Sequence, residues 1–118
     1  MNMLDIELPG SEDIVSDLEE QVMGLIINSG NARSCAYEAL SFAKQGNFLK
    51  AEDMMQEARA ALNEAHLVQT QLIEHDQGEG KTKMTLVMVH AQDHLMTSML
   101  ARELIAELIQ VYKRLSEK

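Results

Sequence analysis

The fold is decided by residues 85–115, which read TLVMVHAQDHLMTSMLARELIAELIQVYKRL. Apolar residues recur here at spacings of three and four, the period of an α-helix that buries one face. Within this segment, His90, Asp93 and His94 stand at i, i+3 and i+4, so they project from one side of the helix. The neighbouring positions on that side are apolar: Leu86, Val89, Met96, Leu100 and Leu104. Because burying a carboxylate among apolar groups is costly unless it is neutralised, Asp93 marks a candidate chemical site.

A first helix is predicted before this segment, with two alternative starts. It begins with Ser11 as its N-cap, or at Ser16-Asp17-Leu18-Glu19, which has the capping-box pattern. It ends at Gln45-Gly46-Asn47, where Gly46 suits a left-handed C-terminal position and Asn47 suits the N-cap of the next helix. Gly24 and Gly30 interrupt its apolar pattern, and we expect another backbone to approach them closely.

A second helix is predicted from about Phe48 to His75, and residues 76–83 form a polar loop with two glycines. The third helix then runs from about Thr85 to Leu115. Three helices joined by two fairly short connections predict an all-α, antiparallel up-down-up three-helix bundle. The third helix has more apolar residues than one bundle can bury, so the chain is expected to associate with copies of itself.

The composition sets limits on both core and function. Aromatic residues make up 3% of the chain, so the core is expected to consist of Leu, Ile, Val, Ala and the nine Met. A net charge of −9 argues against nucleic acid or an anionic membrane surface as a partner. No apolar run approaches a membrane span. The single cysteine, Cys35, is expected to be a packing residue, and its use fits a cytoplasmic protein.

One hypothesis for the site is zinc. Histidines at i and i+4 on a helix match zinc geometry, and His90-x-x-Asp93-His94 is similar to an inverted metalloprotease signature that has Glu in place of Asp. The sequence marks no convincing third ligand. His66 and His75 are candidates only by default.

A second hypothesis makes His90 a nucleophile. A neutral imidazole can attack phosphorus and hold the phosphoryl group at a high transfer potential. His94, one turn away, is placed to donate a hydrogen bond to the phosphoryl oxygens. Asp93 then has two interpretations, between which the spacing alone does not decide. It forms a hydrogen bond to Thr or to nearby backbone, or the Asp93 carboxylates of several subunits converge around a symmetry axis, where Mg²⁺ suits an all-oxygen ligand set.

The segment His90-Ala91-Gln92-Asp93-His94-Leu95-Met96-Thr97 resembles the signature of the lactose/cellobiose-type IIA components of the bacterial sugar phosphotransferase system. The resemblance extends over nearly the whole chain. It includes residues 22–30 and 32–34, residues 61–70 and residues 98–108. It is especially close to the N,N′-diacetylchitobiose branch, with cellobiose or lactose as the other sugars.

This resemblance implies that residues 12–118 form a three-helix domain that assembles as a homotrimer with a nine-helix, coiled-coil-like core. Residues 1–11 are then a flexible tail without an assigned role. His90 would accept a phosphoryl group on Nε2 from the histidine-containing phosphocarrier protein. It would pass the group to a cysteine of the IIB component, and from there to sugar entering through the membrane-embedded IIC component.

The same resemblance implies roles for three further residues. Asp93 matches a buried acid that binds one Mg²⁺ per trimer on the axis. His94 and Gln92 match supporting positions beside the phosphorylated histidine. The protein would be a phosphotransferase component with a phosphohistidine intermediate and not a stand-alone sugar kinase.

Three rival functions differ from this expectation. A two-component histidine phosphotransfer domain is also helical, but it typically has Lys where Asp93 stands. A metallohydrolase would hold stoichiometric zinc. A non-catalytic oligomeric adaptor would tolerate Ala at both His90 and His94.

Overall fold

The computed structural model describes residues 11–118, with side chains from Asp17 onward. Three helices form: α1 spans Ser11–Lys44, α2 spans Phe48–Asp76 and α3 spans Leu86–Ser116. The described part contains no strand, and the all-α, up-down-up prediction is confirmed. Since α1 already includes residues 11–15, the alternative start at Ser16 is wrong. The predicted tail lies outside the described residues, except for Ser11.

The two connections are fixed by local capping. Gly46 adopts a φ of +79°, and the Asn47 carboxamide accepts a hydrogen bond from the Lys50 amide at 3.3 Å, as the sequence predicts. After α2, the Asp76 carboxylate accepts hydrogen bonds from the amides of Thr82 (2.8 Å) and Gly80 (3.3 Å). These bonds, above all the one from Thr82, lower the pKa of Asp76.

The core between the helices is dominated by small side chains. Buried alanines recur along α1 and α2 at helical spacings, which lets the two backbones approach closely. They are Ala32, Ala36, Ala39, Ala43, Ala51, Ala58 and Ala65. Larger buried residues add to this core, with Leu25 and Leu95 near the candidate site and Ile105 and Ile109 farther along α3. α1 packs against both other helices, and α2 and α3 contact each other less extensively.

The expectation that methionine fills the core is correct only in part. Met55 and Met88 are buried, whereas Met23, Met84 and Met96 are at least half exposed. In a sequence, a methionine at an apolar helix position looks the same whether its face meets the chain's own core or solvent. Burial within one chain therefore explains some of these methionines and leaves the exposed ones unexplained.

α3 presents a long apolar surface that faces away from α1 and α2. Each of its large side chains keeps between 45% and 87% of its surface exposed. We call this set the exposed apolar stripe: Leu86, Val89, Met96, Leu100, Leu104, Leu108, Val111 and Leu115. The predicted surplus of apolar surface on the third helix is thus confirmed.

Within residues 11–118, none of the helices has the length and apolar character needed to cross a membrane.

Candidate functional site

The rotation of α3 about its axis determines which side chains face solvent at the site. Thr85 caps the helix, its hydroxyl accepting a hydrogen bond from the Met88 amide at 3.2 Å. Met88, Ala91 and Leu95 are then buried against the bundle. Because side chains turn by about 100° per residue, His90 is directed to the opposite, solvent-exposed side.

His90 and His94 lie together, as the sequence predicts. Their rings are nearly parallel, with an interplanar angle of 6° and centroids 5.9 Å apart. His90 is exposed and His94 is half-buried. Neither ring is hydrogen-bonded to another side chain or to backbone in the described region, so the ring nitrogens are not committed to structural contacts. Two stacked, accessible imidazoles can accept a group on one ring and contact it with the other.

Asp93 lies in the N-terminal part of the exposed apolar stripe, between Leu86 and Val89 on one side and Met96 and Leu100 on the other. The nearby Thr97 hydroxyl donates to the backbone carbonyls of Asp93 (3.0 Å) and His94 (3.2 Å), not to the Asp93 carboxylate. No side chain or amide of residues 17–118 donates to that carboxylate. The reading in which Asp93 is held by a threonine is therefore wrong, and the carboxylate is directed to solvent in a single chain.

Gln92 does not join the histidines. Side chains two residues apart on a helix face different directions, and the Gln92 amide oxygen accepts a hydrogen bond from Gln69 of α2 at 2.7 Å. Its amide nitrogen lies 3.6 Å from the sulfur of Met88. Within one chain, Gln92 ties α3 to α2. The supporting role beside His90 that the resemblance implies for Gln92 remains a prediction.

A zinc site within one chain finds no support in this geometry. His66 and His75, the default candidates for a third ligand, are both exposed on α2. Across the described part of the chain, no three His, Cys, Asp or Glu side chains converge where they could hold a metal ion.

Cys35 behaves as the sequence analysis expects. Burial and, next, the nearby Glu57 carboxylate raise the pKa of its thiol, and the sulfur lies 3.8 Å from that carboxylate. The thiol therefore stays protonated at neutral pH and is a poor nucleophile.

Gly30 of α1 also belongs to the site, although its neighbour differs from the one that the sequence predicts. A methyl group built on Gly30 would lie 3.6 Å from Nε2 of His94, so this glycine faces an imidazole and not the backbone expected from the sequence. Among the described residues, Gly24 has no neighbour within 4 Å of a methyl group added there, so the expected approach of another backbone is not found at this glycine either. A glycine within a helix is unfavourable, and this indicated in the sequence that position 30 has a special role. Only the fold shows that His94 lies beside it.

The comparisons with known proteins agree on one family. The family model described as "PTS system, Lactose/Cellobiose specific IIA subunit" matches residues 20–113. The chain is 64% identical over 114 residues to the N,N′-diacetylchitobiose-specific EIIA component of Escherichia coli K12, covering 96% of this chain and 98% of that protein.

Two solved structures share the fold. The cellobiose-specific enzyme IIA from Bacillus anthracis superposes with a TM-score of 0.81 at 49% identity, covering 85% of this chain and 92% of that one. The IIA(Chitobiose) chain in a complex with HPr from E. coli gives a TM-score of 0.74 at 70% identity, covering 84% and 96%.

Proposed function

Since the chain belongs to the lactose/cellobiose-specific IIA family of the phosphotransferase system, we propose that it carries phosphoryl groups on His90 during uptake of N,N′-diacetylchitobiose. The observation that supports this most is the exposed His90 imidazole, which has no competing hydrogen bond among the described residues and stands on a helix whose rotation is fixed by buried neighbours. The sugar assignment follows the 64% identity to the chitobiose-specific protein.

The first chemical step loads His90. The Nε2 lone pair attacks phosphorus in the phosphohistidine of the phosphocarrier protein HPr, a new P–N bond forms, and the bond from phosphorus to the carrier imidazole breaks. The electron pair of the broken bond stays on the carrier nitrogen. A solved complex of a relative 70% identical to this chain with HPr supports this donor.

The second step unloads His90. A cysteine thiolate of the IIB component attacks phosphorus, a P–S bond forms, and the P–N bond breaks with its electron pair returning to Nε2 of His90. The imidazole is a good leaving group because, with its other ring nitrogen protonated, it departs as a neutral ring. His94 contributes a hydrogen bond to the phosphoryl oxygens from the ring stacked 5.9 Å away.

The exposed apolar stripe supports a homotrimer. Eight large apolar side chains stand exposed along one face of α3, more than a lone soluble chain ordinarily presents as one patch. Three copies of α3 packed along a common axis bury this stripe in a coiled-coil-like core.

Asp93 fits a divalent cation only in such an assembly. One chain offers a single carboxylate at this point, and the described residues gather no three-ligand group. Three copies bring three carboxylates together, and oxygen donors with water favour Mg²⁺. The ion's chemistry there is charge neutralisation, which lets three like charges sit in an apolar interface.

A labelling experiment tests the proposed function. Incubation with phosphoenolpyruvate, the phosphotransferase kinase and HPr is expected to load one acid-labile, base-stable phosphate per chain. His90→Gln is expected to remain unlabelled, while His66→Gln, an exposed histidine on α2, is expected to be labelled like the unmodified protein. Labelling of His90→Gln, or loss of the label in His66→Gln, would show that His90 is not the acceptor.

A further inference from the structure

Gly30 and Gly24 lie six residues apart within α1, and neither has a left-handed backbone. Glycine within a helix is unfavourable relative to alanine, because it loses more conformational freedom and has no side chain to pack. At both positions the backbone would accept an alanine. The two glycines differ in their surroundings. Among the described residues, a methyl group added at Gly30 has Nε2 of His94 within 4 Å, whereas one added at Gly24 has no neighbour within that distance.

Steric clash does not explain the glycine at position 30. The separation of 3.6 Å between an added methyl and Nε2 is an ordinary van der Waals contact. An alanine would therefore fit, but its methyl would lie directly against the ring nitrogen. An N–H group packed against a methyl group loses access to water and to any oxygen approaching from that side.

We propose that Gly30 is a positioning residue for phosphoryl transfer, because the absence of a side chain keeps Nε2 of His94 accessible to the oxygens of the phosphoryl group on His90. The proposal rests on the proposed function of His90 and adds a residue of α1 to a site otherwise formed by α3. Gly30 acts through His94, whose Nε2 lies 3.6 Å from a methyl group added at Gly30.

The matched variants are Gly30→Ala and Gly24→Ala. Both are expected to raise the melting temperature of the full-length protein by a few degrees, because alanine is the better helix former. Gly30→Ala is expected to lower the maximal rate of phosphoryl transfer from HPr about tenfold, the effect of weakening one hydrogen bond in the transition state. The HPr concentration at half-maximal rate is expected to stay within twofold, and Gly24→Ala is expected to keep the full rate.

A double-mutant cycle separates positioning from general damage. In a His94→Gln background, adding Gly30→Ala is expected to cause no further loss of rate, because the imidazole through which Gly30 acts is gone. A tenfold loss in both backgrounds would overturn the proposal, as would an unchanged maximal rate in Gly30→Ala. A fall in the melting temperature of Gly30→Ala would also overturn it, since glycine would then be needed for packing.

These outcomes are distinct from failure of the proposed function. If the unmodified protein and Gly24→Ala accept no phosphate on His90, the function itself is wrong. If both accept it and Gly30→Ala does so equally well, only the role of Gly30 is wrong.

Discussion

His90 is positioned by its neighbours in the sequence more than by any contact of its own ring. Buried Met88, Ala91 and Leu95 set the rotation of α3, and that rotation leaves the imidazole exposed beside His94. This arrangement suits the proposed role of His90 as a nucleophile that meets two partner proteins in turn, because each hydrogen bond to its own chain would have to be broken at every transfer. The features that matter for His90 are therefore the buried face of α3 that holds it in place and an imidazole free of hydrogen bonds to the described residues.

Ser98 offers a test of the packing behind the site. Its side chain is fully buried, and its hydroxyl has no hydrogen-bond partner among the described residues. Burying an unpaired hydroxyl is unfavourable by about 1–3 kcal/mol, so Ser98→Ala is expected to raise the free energy of unfolding by roughly 1 kcal/mol. Urea denaturation at a fixed protomer concentration measures the change.

Ser41→Ala is the control for Ser98→Ala, because Ser41 is exposed on α1 and reports helix propensity alone, about 0.5 kcal/mol. A loss of stability in Ser98→Ala would contradict the interpretation, since it would show that the hydroxyl has a partner in the assembled protein.

The helix bounds are the part of the fold that the sequence predicts best. Their signals are local: Gly46 and Asn47 between α1 and α2, and Thr85 before α3, act within a few residues of themselves. The surroundings of Gly24 and Gly30 could not be predicted in this way, because they depend on how the helices pack against one another. Likewise, Gln92 is close to His90 in the sequence, but its hydrogen bond with Gln69 depends on how α2 packs against α3.

The loop between α2 and α3 predicts a pH-dependent stability. Because the folded-state pKa of Asp76 lies below its usual value, its contribution is present at pH values above about 4 and is lost as the pH falls through the lowered pKa. Asp76→Asn is therefore expected to lower the melting temperature at pH 7, and the difference from the unmodified protein is expected to shrink in acid.

Glu79→Gln serves as the comparison for Asp76→Asn, since it removes a carboxylate from the same loop whose contact is an exposed ion pair with Lys81 at 3.5 Å. Its effect is expected to be small at every pH. A difference between Asp76→Asn and the unmodified protein that grows as the pH falls would contradict the assignment.

At the scale of the whole molecule, a single chain leaves its most apolar surface uncovered. The exposed apolar stripe runs along α3 from Leu86 to Leu115, with Asp93 as the charged group within it. The sequence predicts this surplus of apolar surface on α3. The methionines that are exposed in one chain are consistent with their burial in an assembly. The number of copies that cover the stripe is not encoded in the spacing, since one amphipathic face suits several symmetries.

Asp93→Leu tests the proposed assembly and its metal. Replacing a carboxylate that is buried on assembly by an apolar residue is expected to be neutral or stabilising by about 1–4 kcal/mol, so the variant is expected to remain a trimer in sedimentation while losing bound Mg²⁺ in elemental analysis. Leu100→Lys places a charge in the same stripe and is expected to dissociate the assembly. Monomeric Asp93→Leu would contradict the placement of Asp93 at the axis.

The most direct test of phosphoryl transfer through His90 is a nuclear magnetic resonance measurement on the phosphorylated, ¹⁵N-labelled protein. Phosphorus is expected to couple to a single ring nitrogen, Nε2 of His90, with the other imidazoles uncoupled. Coupling to His94, His66 or His75, or to no imidazole at all, would contradict it.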